Sequence, residues 1–95
     1  MEEQAREVAA LLKVLANENR LLILCTLLES AATVTELQKA VPNIGQSALS
    51  QHLAQLRSHG LVDSEKQGQN VRYHLADEGI AAVMAVLREH YCQGH

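Results

Sequence analysis

The segment Leu21-Leu22-Ile23-Leu24-Cys25-Thr26-Leu27-Leu28 constrains the fold more than any other. Asn17 just ahead of it is a good N-cap, so the segment reads as a helix over residues 18–28. A helix that is apolar nearly all round has no face for water and sits in the middle of a fold, covered on several sides. The rest of the chain must supply those covers with little material. It has 95 residues in all, no Phe or Trp, and only Tyr73 and Tyr91 as aromatics. A core of Leu, Ala and Val favours helices over sheet. A thin aliphatic core in a small chain gains stability from a partner subunit, so a homodimer is expected.

The covers can be read in order. Val8, Leu11, Leu12 and Leu15 follow helical spacing and give a helix over residues 4–15. Thr33-Val34-Thr35-Glu36 has the form of a capping box and opens a helix over residues 34–40, which Pro42 blocks from continuing. Gly45 caps a helix over residues 46–59 whose inner stripe is Leu49, Leu53 and Leu56, and Gly60 stops it. Val71, Tyr73 and Leu75 alternate with Arg72 and His74, as a half-buried strand does. Residues 61–66 are its weaker partner, Gln67-Gly68-Gln69-Asn70 is the turn, and the hairpin spans about 61–76. A last helix over residues 77–91 carries Ile80, Val83, Met84, Leu87 and Tyr91 on one face. The expected fold is mainly α with a small β-hairpin, as one domain over residues 1–95.

Several function classes drop out. No apolar run approaches the roughly 18–20 residues that span a bilayer, and the acidic Met1-Glu2-Glu3-Gln4 start is not a signal peptide. Two cysteines do not make a disulfide framework, so a cytoplasmic location with reduced thiols and no membrane partner is expected. With no nucleophile–base constellation and no phosphate-cradling glycine loop, neither an enzyme nor a bound cofactor is expected. The net charge of −3 argues against a nucleic-acid partner. Its distribution argues the other way: residues 39–62 hold Lys39, Arg57 and two histidines but no Asp or Glu. The third and fourth helices, joined by a tight turn, form a helix-turn-helix whose second helix fits a major groove. Its outward residues are Gln46, Ser47, Ser50, Gln51 and Arg57. Gln suits adenine, Ser either a base edge or a phosphate, and Arg a guanine or a phosphate. Lys66, Gln69 and Arg72 sit on the hairpin, which would serve as a wing. By pattern alone, a small helical domain with a polar surface is equally open.

Ser47-Ala48-Leu49-Ser50-Gln51-His52-Leu53, followed by Leu56-Arg57 and Gly60-Leu61-Val62, resembles the recognition helix of ArsR/SmtB-type winged-helix repressors. Leu15-Ala16-Asn17-Glu18-Asn19-Arg20-Leu21 is similar to the entry of that family's second helix. The resemblance covers about residues 10–91. It implies a homodimer held by the first and last helices, which places Val8, Leu12, Val83, Leu87 and Tyr91 at the interface. It also implies binding to a promoter palindrome with release by an inducer, and a structural His52 packed beneath the helix. Two departures stand out. Gly45 takes a position where Ser is frequent, and Gln69 one where the family wing often has Arg. Lys66 and Arg72 then remain as wing cations, and a shallower salt dependence of DNA binding follows.

The inducer is read from ligands and thiols. The family's Cys-x-Cys metal pair is absent from residues 34–40. Of the last-helix metal set only Asp77 and His90 are matched, with Gly79 and Gln93 at the other two positions. A site made of His90, Cys92 and His95, with Cys25, is the remaining metal alternative. Taken alone, Cys25 on an apolar helix reads as an inert small hydrophobe. As a pair, Cys25 and Cys92 resemble a two-cysteine, redox- and sulfane-sulfur-sensing subgroup that includes biofilm-associated repressors and haemolysin-activator-type regulators. That resemblance implies a disulfide or short polysulfide bridge between the two cysteines that weakens DNA binding. The expected function is therefore a dimeric repressor released by reactive sulfur species or oxidant. The alternatives are a metal-responsive repressor of the same fold and a dimeric interaction protein with weak DNA binding.

Overall fold

The computed structural model describes residues 1–91. Its elements run α1 (Glu2–Leu15), α2 (Glu18–Glu29), β1 (Ala32–Thr33), α3 (Val34–Ala40), α4 (Gln46–Ser58), β2 (Val62–Gln67), β3 (Asn70–Leu75) and α5 (Glu78–Tyr91). As its all-round apolar pattern requires, α2 is central: α1, α3, α4, α5 and β3 all contact it. Its Ile23, Leu24 and Leu27 are buried, together with Leu37 of α3, Leu49, Leu53 and Leu56 of α4, and Ile80 and Met84 of α5. Burying an aliphatic side chain of this kind contributes about 1.5–3 kcal/mol, and Tyr73 only packs against the edge of this core.

Local chemistry sets the element ends. The Asn17 side chain accepts a hydrogen bond from the Arg20 amide at 3.0 Å, capping α2. Asp77 caps α5 in the same way, accepting from the Ile80 amide at 2.8 Å. Gly60 takes a positive φ of 73° just past α4. That turn lets the Leu61 amide reach back to the Leu56 carbonyl at 3.0 Å. The expected ends shift by a residue or two: α1 begins at Glu2, α2 runs to Glu29, α4 stops at Ser58 and α5 starts at Glu78.

The sheet corrects one expectation. It has three strands in the order β1-β3-β2, antiparallel throughout, rather than a two-stranded hairpin. The added strand pairs Ala32 with Tyr73 and Thr33 with Arg72. Gln67 pairs with Asn70 within the ladder, so the turn narrows to Gly68-Gln69, with Gly68 at φ 64°.

The expected apolar face of α5 divides in two. Ile80 and Met84 are buried and Leu87 packs half-buried against the core, whereas Val83 and Val86 face outward at 40% and 54% exposure. On α1 the buried residues are Val14 and Leu15, while Val8 and Leu12 stand more than half exposed. Tyr91 is exposed at the end of α5. No helix among the described residues is long and apolar enough to cross a membrane.

Candidate nucleic-acid interface

The helix-turn-helix begins at a complete capping box. The Thr33 hydroxyl accepts from the Glu36 amide at 3.2 Å, and the Glu36 carboxylate accepts from the Thr33 amide at 2.8 Å. That backbone hydrogen bond, with the Thr33 side chain next, holds the Glu36 carboxyl below its ordinary pKa. The turn itself is fastened by Gln38, a residue the sequence pattern did not single out. Its side-chain amide donates to the carbonyls of Val41 at 3.2 Å and Ile44 at 2.7 Å. Gln38→Ala leaves both carbonyls without that donor and is expected to lower stability by about 1–2 kcal/mol. Thermal denaturation checks this, and an unchanged melting temperature would mean that Pro42 and the backbone hold the turn unaided.

α4 turns Leu49, Leu53 and Leu56 inward and leaves Gln46, Ser47, Ser50, Gln51 and Arg57 exposed, the five side chains expected to face DNA. Arg57 makes an exposed ion pair with Asp63 at 3.5 Å. Such a pair is worth about 0–1 kcal/mol and yields readily to a phosphate. Between α3 and the start of α4 lies an open groove of about 460 Å³ lined by Val34, Thr35, Gln38, Lys39, Pro42 and Gln46. Thr35 and Lys39 thereby join the candidate surface. The acid-free stretch starting at Lys39 was the signal that could have marked the latter. Lys66 and Gln69 are exposed on the wing. Arg72 departs from the expected role of wing cation. It lies in the central strand, donates to the Ala31 carbonyl at 3.2 Å and stands 3.8 Å from Glu36, so it ties β3 to the start of α3.

Behind α4, Arg20 reaches across from α2. Its Nε donates to the Val14 carbonyl at 2.6 Å, and its Nη1 lies 3.3 Å from both His52 Nδ1 and Gln55 Oε1. His52 therefore occupies the structural position expected for it. Burial, with the Arg20 guanidinium adding to it, lowers the pKa of this imidazole.

Of the two cysteines, Cys25 is half-buried on α2 against the core. Glu29, one turn further along α2, binds Arg88 of α5 at 2.6 Å. Cys92 and His95 lie outside the described residues, and His90 is exposed. Among the described residues no three His, Cys, Asp or Glu side chains gather as metal ligands.

A helical core built around α2, with a helix-turn-helix, a polar outward α4 and a β-hairpin wing, defines a winged helix-turn-helix DNA-binding protein. Residues 17–64 match the family described as bacterial regulatory protein, arsR family. The chain is 44% identical to the transcriptional activator HlyU of Vibrio cholerae, over all of this chain and 87% of that one. The structure of reduced HlyU from the same organism superposes with a TM-score of 0.91 at 45% identity, covering 98% of this chain and 97% of that one. A biofilm growth-associated repressor of Agrobacterium fabrum is 39% identical over 97% of this chain and 78% of its own length. The homodimeric winged helix-turn-helix DNA-binding domain of a possible ArsR-family regulator from Mycobacterium bovis matches with a TM-score of 0.79 at 29% identity, covering 99% of this chain and 89% of that one. The chain belongs to the ArsR family and is a transcriptional regulator of that family.

Proposed function

We propose that the protein is a homodimeric repressor that binds a promoter palindrome through α4 and the wing, and that bridging of Cys25 and Cys92 by reactive sulfur species or oxidant releases it. The observation that carries the DNA-binding part is the exposed, acid-free outer face of α4. Ser47, Ser50 and Gln51 read base edges, Arg57 a base or phosphate, and Lys39 and Thr35 meet the backbone beside the groove. Lys66 and Gln69 extend the contact to flanking DNA. With Arg72 engaged elsewhere the wing offers few cations, so the salt dependence is shallow. A DNA partner makes the cytoplasm the place of action.

The exposed Val8, Leu12, Val83, Val86 and Tyr91 support the dimer, as does the homodimeric state of the Mycobacterium bovis domain. Support for thiol sensing comes from the Glu29–Arg88 pair, which fastens α5 to α2 one helical turn from Cys25. Arg88 itself stands four positions before Cys92 in the chain. The chemistry balances. One thiolate attacks the outer sulfur of a persulfide, becomes a protein persulfide and expels the donor's thiolate. The second thiolate then attacks the sulfur bonded to protein carbon and expels hydrosulfide, leaving a disulfide. A bridge from Cys25 on α2 to Cys92, the next residue in the chain after α5, ties α2 to the element that carries the outward dimer face, and so biases the spacing of the two recognition helices.

Arg57→Ala tests the orientation of α4. It is expected to weaken promoter binding by about 1–3 kcal/mol while leaving the dimer intact. Unchanged affinity by fluorescence anisotropy would contradict the orientation.

A further inference from the structure

We infer that Arg20 is a positioning residue for the recognition helix: by binding both the end of α1 and the flank of α4 that holds His52 and Gln55, it sets the angle at which α4 is presented. The inference rests on the DNA-binding reading of α4. Three elements meet at this one guanidinium. From α1 it takes the Val14 carbonyl at 2.6 Å and the Lys13 carbonyl at 3.5 Å. From α4 it takes His52 Nδ1 and Gln55 Oε1, both at 3.3 Å. It is anchored on α2, where Asn17 caps its own amide. Of the α4 partners, His52 is half-buried beside the Leu49-Leu53-Leu56 stripe, whereas Gln55 is exposed and lies one turn beyond Gln51, so Arg20 grips α4 along the flank that borders the reading face. Because α1 also carries the exposed Val8 and Leu12, the contact joins the outward apolar arm to the recognition helix.

Arginine has no acceptor, so Arg20 must donate and His52 Nδ1 must accept. His52 is therefore neutral, with its proton on Nε2. Protonating Nδ1 removes the acceptor and sets an imidazolium against the guanidinium. The charged group facing His52 from the packed elements is Arg20 of α2; α4 adds the neutral Gln55, and α1 meets Arg20 only through carbonyls. The folded-state pKa of His52 is lowered, so the contact stays intact through the ordinary histidine range, where it costs stability as the pH falls, and it breaks only as the pH falls through the lower folded value.

The test uses the full chain and its own promoter DNA, with anisotropy titrations of wild type, Arg20→Ala, His52→Ala and His52→Gln. Sedimentation and circular dichroism confirm folded dimers. At pH about 7.5, Arg20→Ala and His52→Ala are expected to bind about tenfold more weakly with an unchanged salt slope, within the range of couplings carried by such contacts. His52→Gln keeps an acceptor that does not titrate. It should bind like wild type at neutral pH and retain affinity as the pH is taken below the ordinary histidine range, where wild type weakens. Should Arg20→Ala fail to fold, the two His52 variants decide. Full affinity in His52→Ala, or identical pH profiles for wild type and His52→Gln, overturns the inference. Wild type that fails to bind at neutral pH and low salt overturns the DNA-binding reading and this inference with it.

Discussion

Val83→Asp is expected to yield a folded monomer that binds a palindromic site about 10²–10⁴-fold more weakly than wild type, the loss that follows when two linked half-sites become independent. Val83 lies in an apolar surface patch with Ala82, Val86 and Leu87, and it is 40% exposed in the single chain. A carboxylate there stays hydrated in the monomer and costs little. In a two-fold dimer the same patch meets itself, so two carboxylates would be buried without partners. Leu87→Asp is a poorer variant, because Leu87 also packs against the core and would confound dissociation with unfolding. Sedimentation gives the mass, and circular dichroism shows that the helices persist. A stable dimer would remove α5 from the interface.

Cys25→Ser and Cys92→Ser are each expected to bind promoter DNA like the reduced wild type and to stay bound after polysulfide. Wild type should lose about 5–150-fold in affinity, the usual range for coupling between two sites. Serine nearly matches the size of cysteine, and Cys25 is only half-buried, so the fold should tolerate the first change. Neither hydroxyl takes up sulfur, so a bridge cannot close in either variant. Anisotropy before and after treatment reads the response. Release in one of the single variants would show that a bridge is not the switch.

What was legible in the sequence follows from the range of the interactions. α2 was readable as the central helix because its run over residues 21–28 is apolar nearly all round. The caps at Asn17, Thr33 and Gly60 were readable because their partners lie within a few residues. The outward face of α4 followed from its Leu49-Leu53-Leu56 stripe. β1 was not readable, since two residues carry no period and Thr33 already had a reason to be there as a cap. The Arg20 contact was invisible because its α4 partners lie 32 and 35 positions away. Arg72 shows the same limit. Alternation along β3 places it on the face away from Tyr73, but only the fold brings the Ala31 carbonyl and Glu36 to that face. On α5, spacing grouped Val83 with Ile80 and Met84, whereas packing against α2 takes only part of that group and leaves Val83 outward.

The most direct measurement is fluorescence anisotropy of the fully reduced wild-type protein on its promoter DNA, before and after polysulfide, with intact mass on both samples. Tight binding when reduced, then release with a mass change joining Cys25 to Cys92, is the expected result. Binding that persists through complete reaction of both cysteines, or no binding by the reduced protein at low salt, would contradict it.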